Sequence, residues 1–154
     1  MTRVYLGLGT NLGDKRKNLD DALLVIKERI GTVVSLSSFY ETAPWGFESQ
    51  NSFLNAAVGV DTALTPEALM QATQEIEKQL GRRHKSVQKV YHDRPIEIDI
   101  LLYGDTVLQT ETLTIPHPEM TERRFVMEPL AEIAPDVVHP VFGKTISKLL
   151  SLIP

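Results

Sequence analysis

Residues 96–102 read Ile-Glu-Ile-Asp-Ile-Leu-Leu, an alternation of apolar and acidic side chains over the first five positions. A period of two is typical of a half-buried β-strand, because successive side chains of a strand point to opposite faces of the sheet. The three isoleucines are therefore predicted to face a core. Glu97 and Asp99 are predicted to share the opposite, open face.

Two carboxylates on one strand face lie close together, with Cα atoms about 6.5 Å apart from the rise per residue. They repel each other unless a cation lies between them. Mg²⁺ is the natural candidate, because it takes oxygen ligands and keeps coordination positions open for phosphate. An ordinary solvated strand face explains the pattern equally well, and the neighbouring segment favours the metal.

That neighbouring segment, residues 78–94, carries six of the 16 lysines and arginines in a chain whose net charge is −4. Such a block is either a solvated loop or a local anion site. Residues 83–89 have no apolar periodicity and are predicted to form a mobile loop. A basic segment followed by paired carboxylates suits the binding of a metal-complexed polyphosphate, because the cations bind phosphate oxygens and the carboxylates bind the metal. Nucleic acid is the rival ligand, but an acidic chain with 6% aromatic residues fits it poorly.

The length of 154 residues predicts one domain, residues 1–154, with a hydrophobic core of its own. The chain contains no cysteine, which excludes disulfides and thiolate metal sites. We find neither an apolar run of membrane-spanning length nor a signal peptide, so no membrane association and a cytoplasmic location are expected. The sequence carries no signal for an oligomeric state.

Hydrophobic periodicity and turn residues predict the order strand, helix, strand, strand, helix, strand. Asp14 and Thr65 are the predicted N-caps of the two helices. The predicted ranges are 3–9, 15–30, 32–41, 53–61, 66–81 and 96–102, followed by a hairpin at 104–105, a loop at 116–118 and short helical segments at 126–133 and 146–152.

This β-α-β-β-α-β order is that of the ferredoxin-like split unit, an α+β fold with an antiparallel sheet. Its helices are expected on one face of the sheet, which leaves the other face free. If alternate residues from Leu54 onward face the helices, Phe53 and Asn55 fall on the free face. Gly7 and Gly9 of the first strand fall there too, beside the acid pair. The active site is therefore predicted on this free face.

Three further motifs are open to two interpretations each. The glycines of residues 7–13 do not match a dinucleotide fingerprint, and a tight turn is favoured. The loop around Trp45 carries aromatic residues that would stack on a flat ligand or fold into the core. His117, between two prolines, is either a phosphate-binding residue or part of a surface turn. Arg123, before a helix, is either a phosphate-binding residue or a charge at the helix start.

Taken together, these motifs resemble the 6-hydroxymethyl-7,8-dihydropterin pyrophosphokinase family of folate biosynthesis. The resemblance covers nearly the whole chain and rests on residues 5–13, 38–44, 53–58, 94–100 and 115–118. It implies an ATP-dependent transferase that moves the β,γ-pyrophosphoryl group onto the pterin hydroxymethyl oxygen and releases AMP. The implied partners are the small molecules ATP and hydroxymethyldihydropterin, and the implied cofactor is Mg²⁺, as two ions.

The resemblance also implies roles for individual residues. Glu97 and Asp99 correspond to the metal ligands, and Glu97 stands where the family usually has Asp. The pterin-binding residues implied are Thr42, Pro44, Trp45, Phe53, Asn55 and Phe125. The ATP-binding residues implied are Gln74, Glu77, Lys85, Leu113, Thr114 and His117. The catalytic arginines implied are Arg82, Arg94 and Arg123.

A ferredoxin-like domain is also found in nucleotide-binding and RNA-binding regulatory modules that do no catalysis, and the fold alone does not separate these classes. An RNA-binding module would carry aromatic residues across its sheet and a basic face. Neither is visible in the sequence. Formation of AMP from ATP only in the presence of the pterin alcohol would decide between the two.

Overall fold

The computed structural model describes residues 1–42, 52–81 and 95–154. The strands are β1 (Thr2–Thr10), β2 (Gly31–Leu36), β3 (Tyr40–Thr42), β4 (Phe53–Thr62), β5 (Glu97–Tyr103), β6 (Leu108–Gln109) and β7 (Thr114–Ile115). The helices are α1 (Lys15–Arg29), α2 (Pro66–Gly81), α3 (Arg124–Ile133) and α4 (Ile146–Ser151), with a 3-10 turn at Met120–Glu122. The predicted order of the first six elements is confirmed, with one additional strand.

The main sheet is antiparallel and runs in the order β2-β4-β1-β5, with β3 paired to β4. β1 is therefore central, and β5, which carries the acid pair, lies at an edge. β6 and β7 form a separate two-stranded hairpin. The α+β class and the antiparallel sheet are as expected from the sequence.

The single strand predicted over residues 32–41 is wrong, because β2 ends at Leu36 and β3 begins at Tyr40. Ser37 explains the break. Its backbone N–H donates to the Ala57 carbonyl at 2.9 Å, while its hydroxyl oxygen accepts the Ala57 N–H at 2.9 Å. A serine side chain that takes over a backbone partner in this way competes with the regular ladder.

Both predicted helix caps are present. The Asp14 carboxylate accepts the Lys17 N–H at 3.2 Å, and the Thr65 hydroxyl accepts the Ala68 N–H at 3.2 Å. Each cap satisfies one of the N–H groups that a helix start leaves without a partner. The two helices pack their apolar stripes on one face of the sheet, where Leu6, Leu19, Ile26, Leu69 and Ile76 are fully buried.

The expectation that the second face is bare is wrong for one end of it. Tyr5, Ala57 and Leu101 lie in a second apolar cluster with Met127 and Leu130 of α3. Burial of this cluster removes apolar surface from water, which stabilises the fold. Leu101 indicates in the sequence that this end of the face is covered, because it breaks the alternation of residues 96–102 and places an apolar side chain on the acid-pair face. That end of the face required a cover, and α3 supplies it.

No helix within the described ranges has both the length and the apolar composition needed to cross a lipid bilayer.

The buried side chain of His139 should make the free energy of unfolding depend measurably on pH. It is 3% exposed, its Nδ1 accepts the N–H groups of Val141 and Phe142 at 3.2 Å, and burial lowers its pKa. Below the ordinary histidine value of about 6.5 the unfolded chain binds the proton more readily than the folded chain, so stability is lost as the pH falls.

We therefore expect the unfolding free energy of the protein to drop between about pH 7.5 and about pH 5.5 by more than it does in His139→Asn. The asparagine oxygen accepts N–H groups ahead of it in the chain but does not titrate. Urea unfolding at both pH values measures the two drops. Equal drops would contradict a role for His139, whatever the absolute stability of the variant.

Candidate active site

The strand register brings the predicted polar residues onto one face. Gly9 of β1 lies opposite Asn55 of β4 on one side and opposite Glu97 of β5 on the other. In the adjacent row, Gly7 lies between Ala57 and Asp99. Partners directly across a ladder point to the same side of the sheet. The acid pair and Asn55 therefore flank two glycines, whose lack of side chains leaves a shallow floor between them.

Asn55 is held in one orientation over this floor. Its Nδ2 donates to the Thr42 hydroxyl at 3.1 Å, and only 6% of the residue is exposed. A Cβ atom on Gly9 would lie 3.0 Å from the Asn55 Oδ1 and 4.0 Å from Cδ1 of Phe53. Three of the predicted pterin-binding residues, Thr42, Phe53 and Asn55, thus meet around Gly9.

The acid pair offers oxygen ligands alone. Glu97 and Asp99 are both half-buried. Within residues 1–42, 52–81 and 95–154, no group of three or more His, Cys, Asp or Glu side chains is placed to hold a metal ion. A pair of carboxylates suits a hard cation that takes oxygen ligands and completes its shell with water and phosphate oxygens, as Mg²⁺ does.

A cleft of about 410 Å³ opens beside the acid pair. Asp99 is part of its wall. All five predicted ATP-binding residues in the described ranges line it as well: Gln74, Glu77, Leu113, Thr114 and His117. Two of them come from α2, and the others come from the β6–β7 hairpin and the loop after it. The cleft thus joins three separate parts of the chain to one metal-ligand candidate.

Glu77 ties one wall of this cleft to the acid-bearing strand. Its carboxylate accepts the Ile98 N–H at 2.7 Å. Ile98 lies between the two acids on β5, and within the described ranges no strand lies beside β5 on its outer side to accept this N–H. The carboxylate from α2 satisfies that N–H and fixes the spacing between helix and strand.

The surroundings of His117 favour the neutral imidazole. Its backbone N–H donates to the Leu101 carbonyl at 3.1 Å, and its Nδ1 accepts the Glu119 N–H at 3.2 Å. Burial lowers its pKa, and the nearby charge of Arg123 lowers it further. With Nδ1 accepting, the proton of the neutral ring lies on Nε2, which makes His117 a donor towards a ligand. The peptide bond between Ile115 and Pro116 is cis.

Arg123 stands at the junction between the 3-10 turn and α3. Its guanidinium donates to the Glu119 carboxylate at 3.0 Å, and its Cζ lies 5.7 Å from the centre of the Phe125 ring. The cation and the ring are close enough for a cation–π contact. A predicted catalytic arginine and a predicted pterin-stacking ring are therefore neighbours at the start of α3.

Five predicted site residues lie outside the described residues. They are Pro44 and Trp45 of the predicted pterin loop, and Arg82, Lys85 and Arg94 of the basic segment. Their assignments stay predictions.

No sequence motif predicts a polar cluster that links Glu41 of β3 with Ser52, the residue before β4. Lys15 of α1 donates to the Ser52 hydroxyl at 3.0 Å and lies 3.4 Å from the Glu41 carboxylate. The Ser52 hydroxyl donates to Glu41 at 2.7 Å, and these contacts lower the pKa of Glu41. The pairing of β3 with β4 brings Glu41 and Ser52 together, and the start of α1 adds Lys15.

Comparison with known proteins places this geometry in a family context. The profile of a family described as 7,8-dihydro-6-hydroxymethylpterin-pyrophosphokinase (HPPK) matches residues 5–135. A 2-amino-4-hydroxy-6-hydroxymethyldihydropteridine pyrophosphokinase from Porphyromonas gingivalis is 50% identical over 141 residues, 91% of this chain and 95% of its own. The protein of the same description from Aquifex aeolicus is 38% identical over 148 residues, 96% of this chain and 90% of its own.

Solved structures agree in fold. A crystal structure described as HPPK-DHPS in complex with substrates superposes with a TM-score of 0.75 and 15% identity over 97% of this chain. Plasmodium falciparum HPPK-DHPS wild type with SDX-DHP gives a TM-score of 0.76 and 18% identity over 98% of this chain. This chain spans 43% of the length of each of those longer chains. At such identities the likeness concerns the fold alone.

Proposed function

Because the chain belongs to the 7,8-dihydro-6-hydroxymethylpterin-pyrophosphokinase family, we propose that it transfers pyrophosphate from ATP to the hydroxymethyl group of 6-hydroxymethyl-7,8-dihydropterin. The products are AMP and the pterin diphosphate, an intermediate of folate biosynthesis. One structural observation supports this most directly. The cleft lined by the predicted ATP residues shares Asp99 with the acid pair, and Gly9 separates that pair from Asn55.

The arrangement we propose is the ferredoxin-like one, as a single domain, with the active site on the second sheet face, beside the apolar cluster that α3 covers. Thr42, Phe53 and Asn55 bind the pterin together with Pro44, Trp45 and Phe125. Gln74, Glu77, Leu113, Thr114 and His117 bind ATP with Lys85. Glu97 and Asp99 would hold two Mg²⁺ ions, and Arg82, Arg94 and Arg123 neutralise the transferring phosphates. The cytoplasmic location stays a prediction.

Several site residues within the described ranges have a definite task in this scheme. Asn55, oriented by Thr42, reads the hydrogen-bonding edge of the pterin and holds its hydroxymethyl group over the glycine floor. His117 donates from Nε2 to ATP, and Arg123 meets the negative charge of the phosphates. The two carboxylates would hold Mg²⁺, which would supply charge neutralisation and a lower pKa for the attacking hydroxyl. The chain itself contributes mainly positioning, which is the larger part of phosphoryl-type catalysis.

The decisive experiment follows both nucleotide products. The protein is incubated with ATP and Mg²⁺, with and without the pterin alcohol, and AMP and ADP are separated by chromatography. We expect AMP only when the alcohol is present, in equal amount to the pterin diphosphate. Formation of ADP, or of AMP without the alcohol, would contradict pyrophosphoryl transfer. Binding of ATP without any AMP would instead favour a regulatory module.

A methyl group on Gly9 tests the pterin assignment separately. Gly9→Ala places a Cβ atom 3.0 Å from the Asn55 Oδ1, so the amide must move. We expect the KM for the pterin to rise about tenfold, the size of one displaced hydrogen bond, while the KM for ATP stays near its original value. Steady-state kinetics with each substrate varied in turn measure both constants.

The matched control is Gly7→Ala on the same face of the same strand. There the Cβ atom would meet the Leu101 side chain at 3.4 Å, near the limit of an ordinary contact, and would not approach Asn55. Gly7→Ala should therefore raise the KM for the pterin less than Gly9→Ala does. The reverse order of the two effects would remove Asn55 from the pterin site.

A further inference from the structure

We propose that Glu132 is a positioning residue for pterin recognition, acting from outside the binding site by locking strand β3 to helix α3. The proposal rests on the proposed function. Glu132 is exposed, and it lies 92 positions along the chain from Tyr40. Neither a sequence motif nor a role in the cleft marks it.

The lock consists of hydrogen bonds to a single carboxylate. The Glu132 oxygens accept the Tyr40 hydroxyl at 2.6 Å, the Ser38 N–H at 3.0 and 3.1 Å, and the Ser38 hydroxyl at 3.1 Å. The hydrogen bonds from Tyr40 and Ser38 lower the pKa of Glu132. The bond between Tyr40 and Glu132 also raises the pKa of Tyr40 to about 12. The carboxylate therefore stays charged, and charge-assisted bonds are the stronger kind.

On the strand side, the lock leads directly to Asn55. Tyr40 and Thr42 are two positions apart on β3 and so point to the same face. Tyr40 lies opposite Asn55 in the register, and Thr42 accepts the Asn55 amide at 3.1 Å. A shift of β3 along β4 would move the hydroxyl that orients Asn55. β3 is only three residues long, so pairing with β4 alone leaves its register weakly specified.

On the helix side, the lock leads to Phe125. Phe125 and Glu132 are seven positions apart on α3, two turns along one side of the helix, or about 10 Å. Fixing Glu132 on β3 therefore sets where Phe125 and its neighbour Arg123 lie over the sheet. One carboxylate thus sets the distance between the Thr42–Asn55 wall and the Phe125 wall, the two described sides of the proposed pterin site.

The test measures pterin and nucleotide binding separately by calorimetry. In wild type, Glu132→Ala and Glu132→Gln, the pterin is titrated in the presence of a non-hydrolysable ATP analogue and Mg²⁺, and the analogue is titrated alone. We expect Glu132→Ala to weaken pterin binding about tenfold and to change analogue binding less than about twofold. Glu132→Gln keeps one accepting oxygen for Tyr40 and Ser38 and should recover part of the loss.

Glu128 provides the matched control. It lies one turn earlier on the same side of α3, and its charge also raises the Tyr40 pKa. Within the described part of the chain it makes no hydrogen bond to Tyr40 or Ser38, the two residues that bond to Glu132. Glu128→Ala should leave pterin binding near the wild-type value. An equal loss in Glu128→Ala and Glu132→Ala would overturn the lock, because charge alone would then explain it.

A smaller change covers the case in which Glu132→Ala fails to fold. Tyr40→Phe removes one hydroxyl and should still weaken pterin binding about threefold, with analogue binding unchanged. Unaltered pterin binding in Tyr40→Phe or in folded Glu132→Ala would overturn the inference while leaving the proposed function intact. Failure of the wild-type protein to bind the pterin would overturn the proposed function as well.

Discussion

Asp99→Ala is expected to lower the turnover number by about three orders of magnitude while the protein stays folded. A bound metal ion contributes several kcal/mol of charge stabilisation in the transition state, and each 1.36 kcal/mol corresponds to a factor of ten. Asp99 is half-buried and lines the cleft, so its removal opens no core cavity and also relieves repulsion from Glu97. Glu97→Ala should behave in the same way.

Steady-state kinetics over a range of Mg²⁺ concentrations measure this effect, and thermal unfolding confirms that the variants fold. The control is Asp105→Ala, which removes an exposed carboxylate just past the end of the same strand. Asp105→Ala should turn over at the wild-type rate. Glu97→Asp, which restores the more usual family residue, should be mild and can alter the preference between Mg²⁺ and Mn²⁺. Normal turnover of Asp99→Ala at saturating Mg²⁺ would remove the acid pair from the metal site.

Arg123→Ala is expected to reduce turnover by about 10- to 150-fold, which corresponds to the loss of one charge-assisted contact of about 1.5–3 kcal/mol. Its proposed partners are phosphate oxygens, so pterin affinity should fall less than turnover. Arg94→Ala should follow the same pattern. Lysine at position 123 keeps the charge but loses the planar fork, and Arg123→Lys should therefore recover only part of the rate.

Arg124→Ala is the matched control, one position further along. Arg124 is exposed and donates to the backbone carbonyl of Ile153, away from the cleft residues. Its loss should leave turnover close to the wild-type value. Single-turnover measurements separate the transfer step from product release. An Arg123→Ala variant with normal turnover and impaired pterin affinity would reverse the assignment and place Arg123 with the pterin.

Local patterns in the sequence sufficed for the parts of the fold that depend on near neighbours. The alternation at residues 96–102 predicted the acid pair and the face it occupies, and Asp14 and Thr65 predicted both helix starts. The break at Ser37 was missed, because whether a hydroxyl takes a backbone partner depends on what lies across the sheet. The cover over Leu101 was missed because α3 arrives from more than 20 positions further along the chain.

The candidate site divides along the same line. Residues that belong to recognisable motifs, such as Asn55 and His117, could be named from the sequence together with a role. Glu132 and Lys15 could not, because their partners are set by tertiary packing and neither side chain belongs to a pattern. A lone glutamate on a helix and a lysine in a first turn are each ordinary solvated residues until their neighbours are known.

The central position of β1 also determines when this protein can fold. β1 precedes the other described strands in the chain, yet Thr2 pairs with Thr62 and Val4 pairs with Tyr103. During translation β1 therefore has no partner on either side until β4 and then β5 have been made. Pairings of such long sequence separation are slow to form, because loop-closure entropy is lost before the contacts are gained. On a ribosome, β1 can pair on one side once Thr62 has been made, but its second side stays open until β5 is complete at Tyr103, about two-thirds of the way along the chain.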